Sequence, residues 1–346
     1  MNSPLSADLD HVLDHTRPLW DELRGGRLFI TGGTGFVGSW LLESFAWANE
    51  RLALGAQALV LTRNPEAFAK KAPHLSGRTD IRFQTGDVRN FEFPAGTWPH
   101  VIHAATEASA RLNEENPGLM LETIVTGTRR ALEMTAERGG KKFLLTSSGA
   151  VYGRQPPDLE RVGEDYAGGP EVSSPQSAYG EGKRMSELLC AIQSRAGGFE
   201  AKIARCFAFV GPYLPLDVHF AIGNFIRDAM AGGPIMVKGD GTPYRSYLYA
   251  ADLAIWLWSI FFQGAGGRPY NVGSPHSLTI AEVAAAVSRS LPGNVPVMVA
   301  QKPAPDQPAQ RYVPDTARAE NELGLREWVK LEEGIRRTAQ WRQRGR

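Results

Sequence analysis

Tyr179 and Lys183 stand four residues apart in Tyr-Gly-Glu-Gly-Lys, so on a helix they share one face. A phenol ordinarily titrates at about 10, too high for a base at neutral pH. An ammonium beside it, and a nicotinamide cation nearby, favour the phenolate and lower that value. Such a tyrosine can take a proton from a substrate hydroxyl, or return one, while hydride moves between carbon and a nicotinamide. The pair gains weight from Thr-Ser-Ser-Gly-Ala-Val-Tyr-Gly at 146–153, which directly follows an apolar strand. A hydroxyl at the C-terminal end of a strand sits where open α/β sheets bind ligands. Ser148 is therefore placed to hydrogen-bond a substrate oxygen beside Tyr179, while Ser147 reads as a cap of its own loop.

The elements that must position these residues follow from periodicity. Residues 27–38, Arg-Leu-Phe-Ile-Thr-Gly-Gly-Thr-Gly-Phe-Val-Gly, read as a buried strand, a glycine-rich turn and a helix start, with the helix over 39–49. Glycines permit a tight turn and close approach of a pyrophosphate, and the helix N-terminus offers N–H groups and the positive end of its dipole. Strands at 28–31, 58–61, 81–85, 100–103, 142–147 and 201–205 alternate with helical stretches such as 119–138 and 178–195. That alternation implies a doubly wound parallel sheet, an α/β fold of the Rossmann type.

The character of the chain changes after Phe209, where Gly and Pro become dense. The expected organisation is an N-terminal helical arm over 1–25, a dinucleotide-binding domain over 26–207 with a return segment near 247–274, and a smaller interleaved α/β substrate domain over 208–246 and 275–346. In the arm, Leu9, Val12 and Leu13 are spaced along one face of a short helix.

Bulk numbers exclude several classes. A net charge of +1 over 346 residues gives no electrostatic case for nucleic acid or an anionic membrane. Two cysteines and seven scattered histidines predict neither a disulfide framework nor a metal site. The apolar run at 254–262 is too short to span a bilayer and reads as a buried helix. The polar, acidic N-terminus does not read as a secretory signal, and the expected location is cytoplasmic.

With these residues assembled, the chain resembles an extended short-chain dehydrogenase/reductase of the NAD-dependent epimerase/dehydratase family, which acts on nucleotide sugars. The markers run from Arg27 to Trp341 and include the 31–38 turn, Gly86-Asp87-Val88, His103-Ala104-Ala105, Gly127-Thr128, Ser147-Ser148-x-x-Val-Tyr-Gly, Tyr179-x3-Lys183 and Gly211-Pro212. Further on come Gly239-Asp-Gly-x3-Arg245, Tyr270-Asn271-Val-Gly and Leu331-Glu-Glu-Gly. The resemblance implies that Gly32, Gly35 and Gly38 hold the pyrophosphate with backbone contact from Phe36 and Val37. It implies that Asp87 and Val88 flank the adenine, that Ala104 and Ala105 line the cofactor, and that Tyr179 and Lys183 meet it too, Lys183 at the nicotinamide ribose. It places Arg245 at the diphosphate of a nucleotide-sugar substrate, Asn271 among the substrate residues, and Arg311 either beside Arg245 or on the surface; guanidinium forks suit phosphate oxygens. It also implies a homodimer built on the helices around 119–138 and 178–195.

Departures from the family pattern narrow the reaction. Dehydratases and decarboxylases of the family carry acidic residues between the serine or threonine and Val-Tyr-Gly, where this chain has Gly149 and Ala150. Dehydration at C5 and C6 needs an acid and a base there, so 4,6-dehydration by the usual route is not expected. Ser148, Tyr179 and Lys183 suffice for C4 epimerisation or 4-keto reduction. His219 lies near the histidine of epimerase/reductases that make GDP-fucose; it is a candidate catalytic residue or a lining residue, and the cysteine of those enzymes is replaced by Ala150. Ala208 and Ile124 stand where asparagines are common, the second at the tie of the active-site helix. The second strand ends Leu-Thr-Arg63-Asn with no carboxylate to read a ribose 2′-hydroxyl. Arg63 either pairs with a 2′-phosphate or stacks on adenine, which leans the choice of cofactor to NADP over NAD. Competing readings are a dehydratase with a non-standard acid and base, a reductase of a small non-nucleotide carbonyl, and a dinucleotide-binding sensor without catalysis.

Overall fold

The computed structural model of the chain describes residues 4–106, 110–218, 220–304 and 308–344. Six strands and seven helices matter most for the site. The strands are β1 (Arg27–Thr31), β2 (Gln57–Thr62), β3 (Ile81–Thr85), β4 (His100–His103), β5 (Lys142–Ser148) and β6 (Glu200–Cys206). The helices are α1 (Ser6–Thr16), α2 (Phe36–Arg51), α3 (Pro65–Lys71), α4 (Pro73–Ser76), α5 (Ala110–Glu115), α6 (Pro117–Glu137) and α7 (Ala178–Gly197).

The strands form a seven-stranded sheet in the order Pro269–Val272, β6, β5, β4, β1, β2, β3. β1 pairs in parallel with both β2 and β4, β2 with β3, and β4 with β5. The order reverses between β1 and β4, which opens a crevice at the C-terminal ends of those two strands. This is the doubly wound α/β arrangement that the alternating pattern requires. Every residue of β4 is buried, as are the last four of β1, so the centre of the sheet is covered on both faces.

On one face, Phe29, Val101, Phe143 and Leu145 pack against Ala131, Leu132 and Met134 of α6 and Cys190 of α7. The N-terminal arm folds as α1 followed by a 3-10 turn, Arg17–Leu23. Trp20 of that turn has no exposed surface and lies tilted against Trp258 with ring centres 4.6 Å apart, and Trp47 donates to Asp10 at 2.9 Å. Burying such side chains contributes about 1.5–3 kcal/mol each, so the arm is part of the core.

The chain divides into two compact units, one of Met1–Val151, Gly169–Arg205 and Ala254–Tyr270, the other of Tyr152–Gly168, Cys206–Leu253 and Asn271–Arg346. Residues 152–168, which sequence reasoning leaves in the first domain, count with the second unit. They are tied there by Asn271, whose amide donates to the Val162 carbonyl at 2.8 Å. Within the second unit, buried Asp252 accepts the N–H groups of Trp328 and Val329, both at 2.9 Å. Among the described residues, no helix is long and apolar enough to cross a membrane.

Candidate active site

The turn after β1 shows which glycines the protein needs for itself. Gly32 has φ +73°, and a Cβ there would lie 2.4 Å from the Ala104 carbonyl carbon. A Cβ on Gly38 would lie 2.2 Å from the Gly32 oxygen. Gly35 differs: a Cβ would meet only the Gly32 oxygen, at 3.4 Å. Nothing in the fold demands a glycine at 35, so its bareness keeps open the mouth of the turn, where α2 starts at Phe36 without a side-chain cap. An uncapped helix start beside an open backbone suits a phosphate, and this cradle fits the pyrophosphate of a dinucleotide.

Around the turn, the Ala104 and Ala105 N–H groups donate to the carbonyl and hydroxyl of Thr31 at 3.0 and 3.3 Å. Val88 packs against α6 at Gly127, where a Cβ would meet its Cγ1 at 2.8 Å. Asp87 is gripped by Arg89 through Nε at 2.9 Å and Nη2 at 3.0 Å. The Arg89 guanidinium holds the Asp87 carboxyl below the usual range, with a smaller contribution from the charge of Arg63. Arg63 is exposed directly after β2. Lys71, at the end of α3, reaches back to the Thr34 carbonyl at 3.1 Å and brings a second cation to the turn.

The catalytic candidates of the first unit meet at the ends of β5 and α7. β5 runs one residue further than its apolar pattern indicates, so Ser148 is the last strand residue and a 3-10 turn, Gly149–Tyr152, follows. The Ala150 N–H donates to Ser148 Oγ at 3.1 Å. A Cβ on Gly180 would lie 2.8 Å from the Ala150 carbonyl, so the first turn of α7, which carries Tyr179, lies directly on this loop. The Tyr179 N–H donates to Asn113 at 3.1 Å, and Asn113 also holds the Gln176 carbonyl at 2.8 Å. One turn on, Lys183 is 2% exposed and donates to the Thr146 carbonyl at 2.7 Å and the Thr106 hydroxyl at 2.6 Å. Its Nζ lies 6.0 Å from the centre of the Tyr179 ring, and the ammonium's field favours the phenolate there.

A further turn along α7, Glu187 accepts from Ser147 Oγ at 2.6 Å and from Arg205 of β6 at 2.7 Å. Ser147 therefore braces the helix instead of capping its loop, and it is Ser148 that makes the local contact. Sequence reasoning missed Thr106, Asn113, Glu187 and Arg205. The signal for Glu187 was its spacing, four residues beyond Lys183 on the same helical face.

In the second unit the substrate candidates part company. Tyr244–Arg245 pairs in parallel with Arg311–Tyr312, with Tyr244 opposite Arg311 and Arg245 opposite Tyr312. Opposed residues share a face and successive ones alternate, so Arg245 and Arg311 point to opposite faces of the ribbon. The ring contacts agree: Arg311 lies 4.1 Å over Tyr244, and Arg245 5.9 Å over Tyr312. Of the two expectations for Arg311, a place beside Arg245 or a place on the surface, this register favours the second. Asn271 has no exposed surface. Its amide is taken by the Tyr152 hydroxyl and the carbonyls of Val162 and Asp315, which makes it a framework residue rather than a substrate contact. His219 lies outside the described residues.

The family model for the NAD-dependent epimerase/dehydratase family matches residues 28–273. The chain belongs to that family. This epimerase/dehydratase-family enzyme is 32% identical over 309 residues to UDP-glucuronic acid decarboxylase 3 of Arabidopsis thaliana, covering 89% of this chain and 86% of that one. It is similar to the UDP-glucose 4-epimerase of Thermus thermophilus solved with NAD, with a TM-score of 0.74, 26% identity and coverage of 91% and 99%. It is also similar to a dTDP-glucose 4,6-dehydratase of Streptomyces venezuelae solved with NAD, with a TM-score of 0.76, 25% identity and coverage of 92% and 97%.

Proposed function

We propose that the chain moves hydride at C4 of a nucleoside-diphosphate sugar, as a 4-epimerase or a 4-ketoreductase. The observation that carries this reading is the turn after Ser148. Gly149 and Ala150 place no carboxylate there, and the Ala150 carbonyl is closed over by Gly180. Elimination of water needs an acid and a base at C5 and C6, whereas redox at C4 needs one proton relay.

Tyr179 takes the proton of the C4 hydroxyl as the carbon is oxidised and gives it back on reduction. Ser148 hydrogen-bonds the same oxygen and holds it toward Tyr179. Lys183 favours the phenolate electrostatically and is itself held by Thr146 and Thr106. A nicotinamide dinucleotide at the glycine turn supplies hydride acceptance and return. Gly32, Gly35, Phe36, Val37 and Gly38 would hold its pyrophosphate, with Asp87, Val88, Ala104 and Ala105 around the rest. The absence of a carboxylate after β2, together with Arg63, supports NADP; an Arg63→Ala variant is expected to lose that preference in a comparison of dissociation constants. Arg245 is assigned to the diphosphate. The exposed apolar residues Leu121 of α6 and Met185, Leu188 and Ile192 of α7 support a homodimer, for which light scattering of wild type and Leu188→Arg is the test.

The similarity to UDP-glucuronic acid decarboxylases favours a second reading. Oxidation of a uronic acid at C4 puts a ketone β to the C6 carboxylate. That carboxylate can leave as CO2 with its electron pair flowing toward the C4 oxygen. A 4-epimerase and a decarboxylase therefore share their first step, oxidation at C4. Incubation with UDP-, dTDP-, GDP- and CDP-hexoses, with 4-keto nucleotide sugars plus reduced dinucleotide as hydride donor, and with UDP-glucuronic acid, read by NMR and mass spectrometry, separates the two readings. A C4 epimer, or uptake of two hydrogens by a 4-keto sugar, is the expected result. Release of CO2 from the uronic acid would establish the second reading, and a 4-keto-6-deoxy product would overturn the first.

A further inference from the structure

A line of buried hydroxyls and one imidazole crosses the first unit from the glycine turn to α7. Thr31 ends β1, His103 ends β4, Thr128 lies in α6, and Gly182 and Ser186 lie in α7; the four polar side chains are 0–2% exposed. Thr31 Oγ1 is 2.7 Å from His103 Nδ1, His103 Nε2 is 3.1 Å from Thr128 Oγ1, and Thr128 Oγ1 is 2.9 Å from Ser186 Oγ. The ends are fixed by backbone. The Ala105 N–H donates to Thr31 Oγ1 at 3.3 Å, and Ser186 Oγ donates to the Gly182 carbonyl at 3.0 Å.

Those ends dictate every proton between them. A carbonyl only accepts, so the single hydrogen of Ser186 goes to Gly182, and Ser186 accepts from Thr128. The Thr128 hydrogen is then used, so His103 must donate to it through Nε2. In a neutral imidazole Nδ1 is then an acceptor, and Thr31 donates to it. The bonds all run one way, from the Ala105 N–H to the Gly182 carbonyl. Burial, helped by the charge of Lys183, pushes the imidazole pKa down to about 3, which keeps the acceptor nitrogen bare. At the α7 end, Ile124 packs on Gly182, where a Cβ would lie 3.2 Å from its Cγ2. Position 124 is apolar, and the hydrogen-bonded tie to α7 comes from Thr128.

We propose that His103 is a positioning residue whose one-way hydrogen-bond chain couples the 104–105 loop beside the glycine turn to the helix that carries Tyr179 and Lys183. Order imposed on either end is passed to the other. The catalytic part of this inference rests on Tyr179 and Lys183 acting as proposed above; the bond order does not.

Two measurements on the full chain test it. In protein labelled with 15N in its imidazoles, His103 is expected to be protonated at Nε2 only and not to titrate between pH 8 and pH 5. Protonation at Nδ1, or titration above pH 5, would overturn the chain. Thr128→Val removes its central hydroxyl with little change of shape. Turnover is expected to fall about tenfold or more, in keeping with the sensitivity of catalysis to small misplacements, with substrate KM changed less than about threefold. Thr128→Ser, which restores the hydroxyl, is expected to recover most of the rate. A Thr128→Val protein that melts lower but turns over at the wild-type rate would leave the chain purely structural and end the proposal. If Tyr179→Phe also keeps full turnover, the functional reading fails, and the tautomer result still stands on its own.

Discussion

Helix α7 and the Tyr244–Arg245 ribbon each carry a pair of candidate functional side chains, and what decides whether the two members meet differs between them. Tyr179 and Lys183 lie on one element, four residues apart, and the helix alone puts them on one face. Arg245 and Arg311 lie on two strands 66 residues apart in the chain, and only the register between those strands decides whether they meet. The register is such that they do not. Shifting it by one residue would reverse that outcome, because every side chain of a strand changes face with a one-residue slip. Spacing within an element can be read directly from a sequence; spacing between elements cannot.

The largest effect should come from the pair that spacing settles. Tyr179→Phe removes the proton relay and keeps the ring. Turnover is expected to fall by about 10²–10⁴, with the fold unchanged by circular dichroism and dinucleotide affinity within a few-fold of wild type. Retention of more than a tenth of the wild-type rate would remove α7 from the chemistry.

α7 is also held by charge, at Glu187 and Arg205, whose side chains are 12% and 14% exposed. Arg205→Ala leaves a largely buried carboxylate with Ser147 as its remaining side-chain partner among the described residues. The expected loss is about 3–5 kcal/mol of stability, read as a lower urea midpoint. Replacing both partners, as in Glu187→Leu with Arg205→Met, is expected to recover most of it, because breaking a buried pair costs more than removing it. If the double variant is no more stable than Arg205→Ala, the pair contributes something other than mutual charge compensation.

These braces show where the sequence stops being readable. The sheet, the glycine turn and the Tyr-x3-Lys pair were legible because each is a local pattern: apolar runs, glycines ahead of a helix, two residues on one face. Ser148 was legible as a strand-end hydroxyl, and only the strand length was short by one. Ser147 was assigned to its own loop because its partner Glu187 is 40 residues away and reaches it only once β5 and α7 are packed. Asn271 carries a family marker, but its amide is consumed by Tyr152, Val162 and Asp315, a convergence that no local pattern announces. The membership of 152–168 in the second unit was hidden for the same reason.

The ribbon is sharpened by a paired substitution. If Arg245 holds the diphosphate, Arg245→Ala loses charge-assisted hydrogen bonds worth about 1.5–3 kcal/mol, an increase of roughly ten- to a hundredfold in substrate dissociation constant. Arg311→Ala is expected to change it less than about threefold, since its guanidinium lies over Tyr244 on the other face. Isothermal titration with the substrate, or with the nucleoside diphosphate alone, measures both. Equal losses from the two variants would mean that the two faces of the ribbon do not bind separately.

The smallest effect distinguishes the two regions by their response to acid. The ribbon rests on strand register, whereas the α7 side depends on a neutral imidazole. His103 has an ordinary pKa of 6.5 and a folded one of about 3. Below 6.5 the unfolded chain binds a proton that the folded chain refuses. The stability associated with His103 is therefore complete above pH 6.5 and is lost as pH falls toward 3, at about 1.4 kcal/mol per unit. His100, whose pKa burial also lowers, acts in the same direction. His74, raised by its bond to Glu43, acts in the opposite sense, and its contribution is gained above pH 6.5 and complete below it. Comparison with His103→Asn isolates the His103 share. Between pH 7 and pH 5 wild type is expected to lose about 2 kcal/mol more than the variant, the product of 1.5 units and that slope. Hydrogen exchange should place the loss in the amides of α7 and the 104–105 loop and leave those of 244–245 and 311–312 unchanged. Equal acid losses in wild type and variant would mean that α7 keeps its place without the imidazole, and the contrast between the two regions would then rest on register alone.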